Sequence, residues 1–267
     1  MPALSLRPAP ASGDRPGPDT TGGRMLRDGA LSRIFLATEE VNRRAVLRAL
    51  PAGKGGRLLD IGTYDGAFTE RIAARVGADS VTGLELMAEH AEQARAHGIE
   101  IVEGDLEEGL PFEDEAFDVV TANQVIEHVR GTDGFLRELR RVLKPGGVAC
   151  ISTNNLSSWH NVVSLVLGYQ PPPQHVSDEV IVGNPVNPGQ GMPHEDYGQA
   201  HLRLFTARAL RELAGHHGLD VVAARGTGYY PLPPLLARVA ARIDRRHAAF
   251  LVSTLRRAGP GPVPART

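Results

Sequence analysis

A short segment near the start of the chain combines an apolar run, an acid and two glycines. It reads Leu58-Leu59-Asp60-Ile61-Gly62-Thr63-Tyr64-Asp65-Gly66-Ala67-Phe68. Glycines let a backbone turn sharply and approach a ligand closely, and nucleotides bind where the strands of a doubly wound sheet end. The pattern therefore predicts a nucleotide-binding turn at Asp60, Gly62 and Gly66, or a tight strand-to-helix turn that binds nothing.

Further polar positions follow this turn at intervals that suit a nucleotide. Glu85 ends the next apolar run about 20 residues on, where a carboxylate can accept hydrogen bonds from two ribose hydroxyls. Dinucleotide sites use the same acid, so the positions after it distinguish the two kinds of site. Asp105 and Leu106 follow the third run, and an acid beside an apolar residue can bind the amino group and the face of an adenine.

At these positions the chain resembles the class I S-adenosylmethionine (SAM)-dependent methyltransferase superfamily, particularly the branch that includes ubiquinone-biosynthesis-type O-methyltransferases. The resemblance covers residues 50–155 and implies SAM as the cofactor. It implies that the segment from Asn123 to His128 lines the methionine end, and that residues 142–147 form the turn before the fifth strand. The implied cofactor-binding residues are Asp60, Gly62, Tyr64, Gly66, Glu85, Leu86, Asp105, Leu106, Asn123, Gln124 and His128.

One residue departs from the family pattern, because Tyr64 stands where the middle glycine of the turn is usual. The turn is bulkier there, beside the carboxypropyl group of SAM. A SAM-binding protein without turnover is therefore one alternative. A nicotinamide-dependent oxidoreductase is another, since the opening strand-helix-strand unit and Glu85 would suit it. Tyr64, where a dinucleotide turn also needs a small residue, and Asp105 count against the oxidoreductase.

Methyl transfer requires in-line orientation of the reactants, and a hydroxyl acceptor also needs a base with a pKa near the working pH. Four histidines follow the fifth strand: His160, His175, His194 and His201. His201 and His194 are the predicted catalytic residues, because related methyltransferases often carry a segment like His201 to Thr206 before the next helix. His201 has an equal alternative as a buried, backbone-bonded residue. We expect O-methylation of a small metabolite, with N- or C-methylation as alternatives.

Other chemistries are less favoured by the residues present. His128 could lie on a helix face or act as a base, but we predict contact with the cofactor. A metal ion at residues 194–201 is an alternative that we do not adopt, because those ligands crowd into one polar loop. Asn123 to Ile126 replace the Asn/Asp-Pro-Pro-Tyr segment of nucleic-acid amine methyltransferases. Cys150 lies inside a predicted strand, which argues against cytosine C5 chemistry.

The elements that must position these residues alternate between strands and helices. Strands are predicted at 57–61, 80–85, 99–103, 117–123, 147–153, 219–224 and 248–255, and helices at 66–76, 87–97, 132–143, 206–217 and 234–246. This order predicts an α/β fold with a doubly wound, mostly parallel seven-stranded sheet. The proline-rich segment 154–205 is too long for a plain connector, so we expect a substrate lid after strand 5, in which apolar residues of 159–169 cap the pocket as core.

The amino-acid composition predicts the disordered ends, the number of domains, the partners and the location of the protein. Residues 1–24 and 259–267 are expected to be disordered, and residues 25–258 to form one domain that opens with helices over 25–50. The 267 residues carry a formal net charge of -2, which gives no basic field for nucleic acid. One cysteine, no signal pattern and no long apolar stretch favour a cytoplasmic protein without a membrane partner. A homodimer is left open.

Overall fold

The computed structural model describes residues 30–187, 189–193 and 200–258. The predicted disordered arm 1–24 and tail 259–267 lie outside these residues, and so does His194. The elements are α1 Ala30–Ala49, β1 Arg57–Ile61, α2 Ala67–Val76, β2 Ser80–Glu85, α3 Ala88–Ala96, β3 Glu100–Glu103, β4 Phe117–Asn123, α4 Thr132–Val142, β5 Leu143–Asn154, α5 Trp159–Val166, α6 Ala207–His216, β6 Leu219–Thr227, α7 Pro234–Ile243 and β7 Phe250–Arg257. No described helix is long and apolar enough to cross a membrane.

The described strands form one seven-stranded sheet in the order β3-β2-β1-β4-β5-β7-β6. The first five strands pair in parallel, whereas β7 runs antiparallel to both β5 and β6. The predicted doubly wound, mostly parallel sheet is therefore confirmed. The strand order reverses between β1 and β4, and such a switch point opens a crevice beyond the carboxyl ends of the two strands.

Alternate residues of the central strands pack on opposite faces of the sheet. Leu58 and Val119 belong to a buried cluster with α1 and α2, whereas Leu59 and Val120 belong to a cluster with α4. Successive side chains of a strand point to opposite faces, so helices cover both sides of the sheet. The central strands are buried on both sides and hold the turns at their ends rigidly.

Several predicted boundaries need correction, including the end of β6, which lies at Thr227 and not at residue 224, and the end of α7, which lies at Ile243 and not at residue 246. The described part of the predicted N-terminal helices is one helix, α1, because neither glycine nor proline interrupts the chain between Leu31 and Leu50. β5 begins at Leu143, which pairs with Phe117 ahead of a register shift. β7 lies two residues later than predicted and ends at Arg257, which still pairs with Leu219.

The prediction that apolar residues of 159–169 form core is wrong for most of them. Exposed side chains include Trp159, Val163, Leu165, Val166, Leu167 and Tyr169, and Val166 is 80% exposed. The buried side of α5 is polar instead: Asn161 donates to the carbonyl of Asn155, and Ser164 donates to the carbonyl of His160. These hydrogen bonds turn the apolar side of α5 outward.

Candidate active site

A cavity of about 1250 Å³ opens at the carboxyl ends of β1, β2 and β4. All but one of the predicted cofactor residues line it: Asp60, Gly62, Tyr64, Glu85, Leu86, Asp105, Leu106, Asn123, Gln124 and His128. The exception is Gly66, which lies behind the cavity wall at the start of α2. Its φ is 84° and a Cβ there would lie 2.9 Å from the Cα of Ala94. Gly66 therefore allows α2 and α3 to approach each other.

Asp60 is almost completely buried at the end of β1. Its carboxylate accepts hydrogen bonds from the hydroxyls of Thr69 on α2 and Thr121 on β4. Burial raises the pKa of Asp60 to about 6; the two hydroxyls oppose this rise and the nearby Glu85 carboxylate adds to it. The side chain thus ties the turn to its neighbours and contributes a buried negative charge to the cavity.

The turn after Asp60 needs two residues with positive φ. Gly62 has a φ of 73°, and a Cβ there would lie 2.7 Å from Cγ2 of Val125. Tyr64 has a φ of 54°, which directs its N–H to Oε2 of Glu85 at 2.8 Å. The Tyr64 ring is 58% exposed and lies 4.1 Å from the His90 ring, centroid to centroid. The turn therefore accommodates the bulky residue, whose side chain is mostly exposed and packs beside His90.

Glu85 is held by backbone N–H groups at the end of β2. Oε1 accepts from Leu86 at 3.1 Å and from Met87 at 3.0 Å, while Oε2 accepts from Tyr64. Each carboxylate oxygen has two lone pairs, so Oε2 keeps one for a further donor. A ribose hydroxyl is the donor that the sequence predicts at this place.

Asp105 begins the short helical turn Leu106–Glu108, where its Oδ1 accepts from the N–H of Glu107 at 2.9 Å. Glu107 in turn accepts from the N–H groups of Arg130 and Gly131. These bonds connect the loop after β3 with the loop after β4 across the mouth of the cavity. The predicted adenine end is therefore a fixed part of the wall.

A polar network that the sequence reading missed lies at the opposite end. Asn42 of α1 donates to Oδ1 of Asn123 at 3.1 Å and to Oγ of Ser152 at 3.0 Å. Ser152 donates to the same oxygen of Asn123 at 2.8 Å. The signal was present in α1, where Thr38 and Asn42 interrupt the apolar residues at helical spacing. This network holds the end of β4 against α1.

Glu127, His128 and His201 form a cluster at the cavity edge. Glu127 is fully buried and accepts from the Thr153 hydroxyl at 2.8 Å. Burial raises the pKa of Glu127 to about 7, against the hydrogen bonds that it accepts. Its backbone carbonyl accepts from Leu202 and Arg203, which places His201 beside His128 with ring centroids 4.7 Å apart.

The two imidazoles are oriented by backbone carbonyls. Nδ1 of His128 lies 3.1 Å from the oxygen of Ala200, and Nδ1 of His201 lies 2.7 Å from that of Pro173. A carbonyl only accepts, so each Nδ1 carries the proton and each neutral ring has its lone pair on Nε2. Burial lowers the pKa of His128, which favours the neutral ring.

The same three residues could hold a metal ion. Each offers one ligand atom, and these atoms all lie within 4.8 Å of one another. The cluster shares only His201 with the loop where the sequence suggested a metal alternative, and Glu127 was not among the predicted site residues. The prediction of no metal ion stays a prediction.

Two other candidate histidines, His160 and His175, are not among the described residues that line the cavity, and neither is His201 itself. His160 is partly buried next to Tyr230, and desolvation lowers its pKa to about 4. His175 stacks on His201 and accepts from its backbone N–H through Nδ1 at 3.3 Å. His160 thus has no described contact with the site, whereas His175 supports the ring of His201.

The cavity wall is strongly acidic. Seven carboxyl groups line it, on Glu39, Asp60, Asp65, Glu85, Asp105, Glu107 and Asp178, against the guanidinium groups of Arg43 and Arg130. An acidic cavity attracts a cationic ligand and repels phosphate. SAM, which carries a sulfonium and an ammonium group, fits this wall, whereas the pyrophosphate of a nicotinamide dinucleotide does not.

Comparison with known proteins agrees with this geometry. A family model described as a methyltransferase domain matches residues 35–224. The demethylmenaquinone methyltransferase of Listeria welshimeri is 34% identical over 143 residues, which are 49% of this chain and 59% of that protein. The ubiquinone biosynthesis O-methyltransferase of a Chelativorans species is 36% identical over 113 residues, 40% of this chain and 44% of that protein. The chain thus spans about half the length of these curated relatives.

Solved structures share the fold at lower identity. A SAM-dependent methyltransferase from Mesorhizobium loti has a TM-score of 0.56 and 20% identity, covering 87% of this chain and 100% of its own. One from Thermotoga maritima has a TM-score of 0.56 and 20% identity, covering 88% of this chain and 97% of its own. At this identity the likeness supports the fold alone.

Proposed function

Because the chain belongs to the methyltransferase-domain family, we propose that it methylates a hydroxyl group of a small molecule. It is a class I SAM-dependent methyltransferase, and SAM is its cofactor. The observation that carries the proposal is the pair of oriented imidazoles, His128 and His201, beside the buried carboxyl of Glu127. A hydroxyl is the acceptor that benefits most from such a base.

The cofactor end is assigned to residues held by backbone hydrogen bonds. Glu85 would bind the ribose through Oε2, and Asp105 with Leu106 would bind the adenine. Asp60 and the acidic wall would stabilise the cationic groups. When bound, SAM supplies an electrophilic methyl group on a positively charged sulfur.

We assign the acceptor end to the imidazole pair, which gives His128 the alternative role of a base in place of the predicted contact with the cofactor. An Nε2 atom of the pair would accept the proton of the acceptor O–H, and bound SAM would supply the methyl group that the acceptor oxygen receives. The products are a methyl ether, S-adenosylhomocysteine and a protonated imidazole. Glu127 lies close enough to stabilise that positive charge. His194, the second predicted base, lies outside the described residues and stays a prediction.

A small acceptor is favoured over a nucleic acid by the same acidic wall, since a phosphate backbone would be repelled from it. A cytoplasmic location and a homodimer stay predictions. C-methylation is the second candidate, because one set of relatives is named for methylation of demethylmenaquinone. A phenolate can be methylated at oxygen or at carbon after the same loss of a proton.

The test is turnover with methyl-¹³C-labelled SAM on a panel of phenols, catechols and naphthols. The carbon chemical shift of the product separates an O-methyl from a C-methyl group. We expect an O-methyl product, and we expect His128→Gln and His201→Gln each to lower kcat by about 100-fold while affinity for S-adenosylhomocysteine is kept. Turnover at the wild-type rate in both variants would contradict the base assignment, and a C-methyl product would select the second candidate.

A further inference from the structure

A second cavity, of about 690 Å³, lies between α1, the edge strand β6 and α7. No described residue lines both this groove and the acidic cavity. The loop after α7 closes tightly on β6: a Cβ at Gly226 would lie 1.8 Å from the carbonyl oxygen of Arg245. The groove is therefore built by close contact of three elements.

Guanidinium groups from all three elements line this groove. They belong to Arg44 and Arg48 of α1, Arg225 of β6, Arg238 and Arg242 of α7, and Arg245 just after it. All six side chains are exposed. Arg44 and Arg48, like Arg238 and Arg242, are four residues apart and therefore share a helix face. The alanines between them leave room above the backbone for a ligand.

Few carboxylates neutralise the positive charge of the groove. Glu40 is the one carboxylate among the described lining residues, and it already bonds Arg44 and Arg71. Within the described ranges, no carboxylate lies within ion-pair distance of the other five arginines. The whole chain has a net charge of -2, so the excess is local. Like charges at this density repel one another unless an anion joins them.

We propose that this groove binds a phosphate-bearing ligand. The planar guanidinium group forms paired, charge-assisted hydrogen bonds with phosphate oxygens, and all three elements that line the groove carry such groups. Ile34, Val41 and Leu232 also line the groove and would contact an apolar part of the ligand. The site is separate from methyl transfer and does not depend on the proposed acceptor.

The test is calorimetric titration of the full chain with sodium pyrophosphate, with the acidic cavity saturated by S-adenosylhomocysteine so that only the groove is open. The variant is Arg238→Gln/Arg242→Gln, and the matched control is Arg208→Gln/Arg211→Gln on α6, outside the groove. A second arm measures co-sedimentation of the same proteins with vesicles of phosphatidylcholine containing phosphatidylglycerol. Affinity for S-adenosylhomocysteine reports that each variant is folded.

We expect saturable pyrophosphate binding that weakens about tenfold or more in the groove variant and stays unchanged in the control. Vesicle binding that the groove variant alone loses would assign the phosphate to a lipid headgroup, and pyrophosphate binding without vesicle binding would assign it to a soluble ligand. Failure to bind either probe would overturn the proposal, and so would equal weakening in the control variant.

Discussion

Asp60 should make the folded protein less stable as the pH rises. Its pKa is raised from 3.8 to about 6 by burial, so ionising it in the folded protein costs more than in the unfolded chain. That cost is about 3 kcal/mol at pH 8 and about half as large at pH 5, where much of the folded protein keeps the proton. A salt-bridged carboxylate, whose pKa is lowered, has the opposite effect: the folded protein becomes more stable as the pH rises.

Replacing Asp60 with asparagine removes the titration and keeps a side chain of the same shape between Thr69 and Thr121. We expect the free energy of unfolding of Asp60→Asn, minus that of wild type, to increase by about 1.5 kcal/mol between pH 5 and pH 8. Urea denaturation of both proteins without cofactor, at four pH values, measures this difference. Titrating groups that do not interact with Asp60 are common to both proteins and cancel in the subtraction.

A difference that stays constant with pH would refute the reasoning, because it would mean that burial does not raise the pKa of Asp60. A difference that decreases with pH would mean that an unrecognised cation stabilises the carboxylate. In either case Asp60 would not carry an unfavourable buried charge, and binding of the cationic cofactor could not stabilise it.

Three further predictions follow from the cavity wall. Glu85→Gln should weaken S-adenosylhomocysteine binding by about tenfold in calorimetry, since an amide is a poorer acceptor for a ribose hydroxyl; unchanged affinity would contradict the ribose assignment. Tyr64→Gly should keep that affinity within about threefold, because the N–H of the residue and not its ring binds Glu85; complete loss of binding would show that the ring has a role. Removal of divalent metals with a chelator should leave turnover unchanged if the imidazoles act as bases, whereas loss of turnover that Mg²⁺ restores would make Glu127, His128 and His201 metal ligands.

The sequence predicted the central strands and the turn beside the cavity well, because their signals are local. A strand that carries Asp60 near its end and is followed by Gly62 predicts the turn, and the acid Glu85 predicts the neighbouring strand end. Gly66 was placed on the cavity wall by the motif, whereas it permits contact between two helices behind that wall. The motif does not distinguish a glycine that lines the cavity from a glycine that lets two helices approach each other.

The contacts around Asn42, Glu127 and α5 were predicted less well, because they join distant segments of the chain. Asn42 reaches Asn123 and Ser152 only after α1 folds over the sheet. Glu127 was one unassigned residue of the segment from Asn123 to His128, and its buried position is fixed by Thr153 and by the chain returning at residues 202–203. The exposed apolar side of α5 shows the same limit: helical spacing was clear, but the polar contacts of Asn161 decide which side faces inward.

Helix α1 separates two cavities of opposite charge, with Asn42 facing the acidic one and Arg44 and Arg48 facing the basic one. The protein is therefore strongly dipolar in this region although its net charge is small. Such a field acts before contact: it would guide a cation toward one mouth and an anion toward the other, and so raise both association rates at low ionic strength. Selectivity for the two ligands would then begin during diffusion, and added salt would slow both encounters without changing the shape of either site.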